Sequence, residues 1–142
     1  MPEYEDLNPR FLNALKIKRS VPFEKMLGME LVDAKKGWAV VRLPFSEKLQ
    51  QPYGMAHGAA IMAPADTAVA LALVGMCDRD EIFTTVELKI NYIKPFEKGE
   101  IVAEARIISK GKTIAVGDVD VFDSEGRLIA KCLATYSITR KS

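Results

Sequence analysis

Apolar and polar residues alternate with a period of two through most of the second half of the chain. Val86, Leu88, Ile90 and Tyr92 fall on one face of an extended segment, with Glu87, Lys89 and Asn91 opposite, and Pro95 ends it. Ile101, Ala103, Ala105 and Ile107 repeat the period before a turn over 109–112. A third strand is expected over 113–122, and Asp123-Ser124-Glu125-Gly126 has the composition of a hairpin turn. Leu128, Ala130, Cys132, Ala134, Tyr136 and Ile138 then alternate along the longest strand. Nearer the start, 29–34 and 38–45 read as two strands around Lys35-Lys36-Gly37. Asn8-Pro9 reads as a cap and first turn of a short helix ending near Ser20, with Phe11, Leu12 and Leu15 on its apolar face. Residues 22–27 form another helical turn, stopped by Gly28.

Between these groups lies a different pattern. A loop over 46–56, marked by Pro52 and Gly54, leads into a stretch from Gly58 to Gly75 that is apolar on all sides and carries one charge, Asp66. A helix of this kind must be covered all round. Four consecutive strands with short turns give an antiparallel sheet, so the expected fold is α+β, a curled antiparallel sheet wrapped around one long central helix. Residues 1–142 then make one domain, with 1–27 as a short helical N-terminal extension. Taken from Gly58 to Cys77 the apolar stretch is long enough to span a bilayer, but Asp66 and Pro64 near its middle favour a buried helix and no membrane partner.

Charge and composition narrow the chemistry. Near-balanced acids and bases, for a formal net charge of +1, give no nucleic-acid surface. The two cysteines, Cys77 and Cys132, are far apart and form no CxxC pair, so no metal is expected. The first residues lack the basic and apolar regions of a signal peptide, which makes the cytoplasm the expected setting.

His57, the single histidine, stands nine residues before Asp66. A carboxylate in apolar surroundings is costly unless something satisfies or uses it. On one helix, nine steps of ~100° and ~1.5 Å put these two side chains on opposite sides, ~13 Å apart. A site needing both ends of the helix is then built most easily from two copies of the chain. His57 could equally satisfy loop backbone groups, and Asp66 could merely cap a helix delayed by Pro64.

The segment Gln51-Pro52-Tyr53-Gly54-Met55-Ala56-His57-Gly58, followed by Asp66-Thr67-Ala68, resembles the signature of PaaI-like acyl-CoA thioesterases of the hotdog fold. The resemblance continues through Thr85-Val86-Glu87-Leu88-Lys89-Ile90-Asn91-Tyr92, Gly99, Gly111-Lys112 and Asp123-Ser124-Glu125-Gly126-Arg127. It covers nearly the whole chain from about Pro22, with Ala59 standing where the family usually has a second glycine. It implies a cofactor-free thioester hydrolase. The Gly58 backbone N–H would bind the thioester oxygen, and His57 would orient that turn or approach the thioester. Asp66 would act as general base or nucleophile, Gln51 would hold the carbonyl or the water, and the Thr85 hydroxyl would position the attacking water. Tyr53, Met55 and Met62 would line an acyl pocket or simply pack, and Gly111 and Lys112 would meet the phosphates of coenzyme A. The family also implies homodimers with shared sites, often paired into homotetramers.

Two other readings compete. Hotdog hydratases resemble a different pattern, with an acid a few residues before the histidine, and 52–56 contains none. A noncatalytic acyl-CoA-binding regulator would be expected to carry an added DNA-binding segment, for which the residues before Leu27 are too few.

Overall fold

Small side chains on the inward face of the central strands decide how closely a helix can approach them. The computed structural model describes residues 3–18 and 21–141. In chain order the elements are α1 (Pro9–Lys18), α2 (Pro22–Leu27), β1 (Glu30–Lys35), β2 (Trp38–Pro44), a 3-10 turn (Glu47–Leu49), α3 (Gly58–Val74), β3 (Glu81–Tyr92), β4 (Glu100–Lys110), β5 (Ile114–Phe122) and β6 (Leu128–Arg140). The strands form one sheet in the order β1-β2-β4-β5-β6-β3, every neighbouring pair antiparallel. The expected curled sheet around a central helix is the observed fold.

Helix α3 lies mainly against β2, β4 and β5. Ala39, Val41 and Leu43 of β2, Ile101, Ala103 and Ala105 of β4, and Ala115, Val119 and Val121 of β5 meet Ile61, Ala65, Ala68, Val69, Leu71 and Ala72 of the helix in one buried cluster. Fully burying each of the larger side chains contributes ~1.5–3 kcal/mol. The alanines and Gly117 bring the axis close to the sheet. A Cβ on Gly117 would stand 2.7 Å from a Val69 methyl.

Helix α3 is not covered all round, contrary to expectation. Met62, Ala63, Asp66, Thr67, Ala70 and Val74 are only half-buried, and Ala59 is exposed. The sheet curls over one side of the helix and leaves the other open. Pro64 is fully buried but neither delays nor ends the helix, which runs from Gly58 to Val74. It leaves the Ala60 carbonyl without its usual helical donor.

The N-terminal segment behaves mostly as expected. Asn8 Oδ1 accepts the Arg10 N–H at 2.9 Å, forming the cap of α1. Leu12 and Leu15 pack on the core while Phe11 is exposed, so the apolar face of α1 is narrower than its pattern. The expected end of α1 near Ser20 lies outside the described residues. Gly28, at φ 88°, closes α2 by donating to the Glu24 and Lys25 carbonyls. The hairpin at 123–126 is fixed by Asp123, whose Oδ1 accepts the N–H groups of Glu125 and Arg127 at 2.9 Å. The Arg127 backbone N–H and guanidinium hold the Asp123 carboxyl below the usual carboxylate range, against the opposing effect of burial.

Edge strand β3 departs most from its pattern. A β-bulge between Thr85 and Glu87 inserts Val86 as an unpaired residue, and Val86 is 62% exposed. Val86 therefore does not share a face with Leu88, Ile90 and Tyr92. On the far side of the bulge the inward positions become Phe83 and Thr85, while Thr84 faces outward and reaches the Ser137 hydroxyl at 3.1 Å. β6 shows a smaller difference: Ile129 is buried and Leu128 only half-buried, at a register shift beside the hairpin.

Gly117→Ala should cost ~1–3 kcal/mol through overpacking against Val69. In denaturant titrations the Gly117→Ala/Val69→Ala protein should lose less stability than the sum of the two single variants. Additive losses would show that Gly117 does not set the helix–sheet distance.

Candidate active site

The start of α3 is held by its own cap. His57 is extended, at φ −61° and ψ 138°, and its Nδ1 accepts the Ala59 N–H at 3.0 Å. A ring nitrogen that accepts cannot also carry the proton of the neutral imidazole, so that proton sits on Nε2. His57 satisfies a backbone group of the first helical turn, where the simpler reading had it serve the loop, and presents an N–H donor at its outer edge. Asp66 is eight residues inside the helix, which removes the reading of Asp66 as a cap.

Gly58 is the first helical residue, and its N–H has no partner among the described residues. It opens on a cleft of about 320 Å³ whose lining includes Gln51, Met55, Ile61, Tyr92 and Phe96. The Tyr92 hydroxyl donates to the Gly58 carbonyl at 2.7 Å, and a Cβ on Gly58 would lie 2.9 Å from that oxygen. Burial pushes the Tyr92 phenol up, so it stays protonated and donating. Gln51 Oε1 accepts the Tyr53 N–H at 2.5 Å. With its oxygen held by the loop, the amide NH2 is the part of Gln51 free to act.

The loop is fixed from both sides. Ala56 N–H donates to Phe96 and His57 N–H to Leu49, each at 2.7 Å. His57 itself lies in a neighbouring cleft with Phe23, Leu27 and Lys48.

A second cluster surrounds Asp66. The Thr85 hydroxyl donates to Asp66 Oδ1 at 2.9 Å, and the Tyr136 hydroxyl reaches the same oxygen at 2.5 Å. Tyr136 also lies 2.9 Å from the Asp66 backbone carbonyl. Burial, and then its hydrogen bond to Asp66, push the Tyr136 phenol far above its ordinary value, so it remains a donor. Asp66 Oδ2 has no partner among the described residues and is not sealed from solvent. Two donors on one oxygen fix the plane of the carboxylate and leave the other oxygen open.

The structure thus gathers the expected residues into two groups. Gln51, Met55 and Gly58 share the cleft at the helix start, and Asp66 and Thr85 form the second group. Thr85 donates to Asp66, where the sequence suggested a grip on water. Met62 lies on the helix one turn from each group. Tyr53 is at the loop tip and 85% exposed, lining neither cleft described above. Gly111 and Lys112 are exposed in the β4–β5 turn, a few residues before Ala115, which pairs with Tyr136; they therefore belong to the Asp66 end of the sheet. Tyr92 and Tyr136 were read in the sequence as inward strand positions and not as partners of Gly58 and Asp66. The available signal was a phenol on an inward strand position, which needs a buried acceptor.

The other nucleophiles are quiet. Burial pushes the Cys132 thiol up to about 12 and raises Cys77 as well. No cluster of three or more potential metal ligands occurs among the described residues, nor does any helix there have the length and apolarity to cross a membrane.

Residues 53–130 match the family model described as the Thioesterase superfamily. A Saccharolobus solfataricus protein described as an esterase is 34% identical over 82% of this chain and 77% of its own length. The 1,4-dihydroxy-2-naphthoyl-CoA hydrolase of Listeria monocytogenes is 29% identical over 83% of this chain and 96% of its own. The E. coli PaaI protein of the phenylacetic acid degradation operon shares the fold with a TM-score of 0.79, at 21% identity over 92% of this chain and 91% of that one. The chain belongs to the thioesterase superfamily, with the hotdog fold found in PaaI. It is a thioester hydrolase.

The cap at His57 is a contribution to stability that can be measured by itself. His57→Ala should lose ~1 kcal/mol in denaturant unfolding, because the cap is gone, whereas His57→Asn should keep most of it. Equal losses in both would show that the cap bond does not support the helix.

Proposed function

We propose that the protein hydrolyses a coenzyme A thioester of an aliphatic or aromatic acid to the free acid and CoA, at sites shared by two copies of the chain. The observation that carries this reading is the separation of its two chemical groups. Gly58 and Asp66 both lie against β3, the Gly58 carbonyl on the Tyr92 hydroxyl and the Asp66 carboxylate on the Thr85 hydroxyl. They are eight residues apart on one helix, ~12 Å along the axis. An oxyanion donor must lie within ~3 Å of the carbonyl oxygen, so one chain cannot bring both groups to one thioester.

A two-fold axis resolves this. β3 is an edge strand and runs past the helix from Thr85 beside Asp66 to Tyr92 beside Gly58. Antiparallel pairing of β3 with its copy, centred near residues 88–89, sets the Gly58 end of one chain opposite the Asp66 end of the other. Exposed Val86, Tyr92 and Ile93 support that interface, as does the uncovered side of α3. Two equivalent sites per dimer result, and pairing of dimers gives a tetramer.

In the general-base route, Asp66 Oδ2 takes a proton from water as the water oxygen attacks the carbonyl carbon. The Gly58 N–H and the Gln51 amide hold the developing oxyanion. Collapse of the intermediate breaks the C–S bond, and the departing thiolate takes the proton back from Asp66. In the nucleophilic route, Oδ2 itself attacks, thiolate leaves, and water hydrolyses the mixed anhydride. The His57 Nε2–H stands beside the Gly58 turn as a further donor. Lys112 makes no ion pair among the described residues, and its turn at the Asp66 end suits the phosphates of CoA. The naphthoyl-CoA activity of the Listeria relative makes aromatic thioesters the first to try.

Release of free thiol from benzoyl-, phenylacetyl-, hexanoyl- and lauroyl-CoA tests the reading. Turnover on part of the panel is expected, falling at least ~100-fold, ~2.7 kcal/mol of barrier, in Asp66→Asn. Tight binding without turnover across the panel would contradict it. Gly58→Ala keeps the N–H and adds only the Tyr92 contact. Gly58→Pro also removes the N–H at a position that tolerates proline, the preceding His57 already being extended. Proline should therefore cost ~10- to 100-fold more than alanine in kcat. Equal loss would rule out the N–H as the oxyanion donor.

A further inference from the structure

Tyr136 belongs to no part of the proposed chemistry, yet its hydroxyl makes the shortest contact to Asp66. It projects inward from β6, buried, with Ala115 and Thr85 as its neighbours across the strands on either side. Phe83 packs against its ring, the centroids 6.2 Å apart. Thr85 reaches Asp66 because the Val86 bulge turns it inward. A phenol from one strand and a hydroxyl from the next thus converge on Oδ1.

We propose that Tyr136 is a positioning residue that divides the two oxygens of Asp66: Oδ1 is held by Tyr136 and Thr85, and Oδ2 is the atom that acts on water or on the thioester. This rests on the reading of Asp66 as the reacting carboxylate. The geometry makes the division definite. An ionised carboxylate oxygen has two lone-pair directions in its plane, and both on Oδ1 meet donors. The carboxylate is thereby prevented from rotating about its Cβ–Cγ bond, and Oδ2 stays in the solvent-reached half of the site.

The second acceptor of Tyr136 also has a use. Its one proton lies between Oδ1 and the Asp66 backbone carbonyl. When Oδ2 holds the proton taken from water, Oδ1 becomes a weaker acceptor, and the phenol proton then has the carbonyl to turn to. The grip on Asp66 is firm while it is ionised and relaxes when it is protonated. A carboxylate held equally in both states would gain orientation alone.

The test joins kinetics to crystallography of the full chain. Tyr136→Phe removes only the hydroxyl and keeps the ring against Phe83. With whichever of benzoyl-CoA and hexanoyl-CoA the native protein turns over, kcat should fall roughly ten- to a hundredfold while KM stays within about twofold. In an Asp66→Asn background the same change should cost nothing further, an outcome that loss of general packing would not give. Crystals of Tyr136→Phe should show the Asp66 carboxylate rotated from its native plane or split between two.

Native kcat in Tyr136→Phe, alongside a large loss in Asp66→Asn, would overturn the positioning role and leave the thioesterase reading standing. Full activity in Asp66→Asn would instead remove the parent reading. In that case, or with no turnover of either substrate, an unmoved Asp66 in the Tyr136→Phe crystals would overturn the inference on structure alone.

Discussion

An alanine-rich helix lying close against a sheet of alanines, valines and one glycine is the contact on which the site depends. Where Val69 meets Gly117 there is no room for even one methyl group. That closeness fixes the helix along its axis and in rotation. Because the helix is fixed, its first residue lines an open cleft with Gln51, and Asp66 two turns later meets Tyr136 and Thr85. A looser core with the same residues would leave those hydrogen bonds to chance, and orientation within fractions of an ångström is what such chemistry needs.

The edge strand β3 is the second determinant. It touches both groups, Tyr92 on the Gly58 carbonyl and Thr85 on Asp66, and it carries the bulge that aims Thr85. Bulges at sheet edges redirect side chains, and this one exchanges Thr84 for Thr85 on the inner face. As an edge it is also open to pairing with a second copy. One strand thereby orients the carboxylate within a chain and, in the proposed dimer, sets the distance to the oxyanion donor of the other chain.

Much of this was legible in the chain. The apolar run with its single acid gave the central helix, and the alternation at Ile101–Ile107 and along 130–138 gave strands with the right inward faces. The family motif selected Asp66, Gly58 and Gln51. The bulge was not legible. Alternation carried back from Leu88 and Val86 places Thr84 and Ile82 inside, and only pairing with β6 shows that Val86 is left over. Tyr136 was correctly read as inward, but its acceptor is seventy residues away on another element, a distance that no local pattern spans. The open side of α3 was also missed, since composition reports how apolar a helix is and not which part of its cover a second copy would supply.

Co-expression of two differently tagged, individually inactive chains, Asp66→Asn and Gly58→Pro, tests the shared site most directly. Purification through both tags isolates the mixed dimer. If each site takes Gly58 from one chain and Asp66 from the other, one site in that dimer has both groups intact, and activity should return to about half that of the native dimer. A mixed dimer as inactive as its parents would place both groups of each site within a single chain and contradict the account.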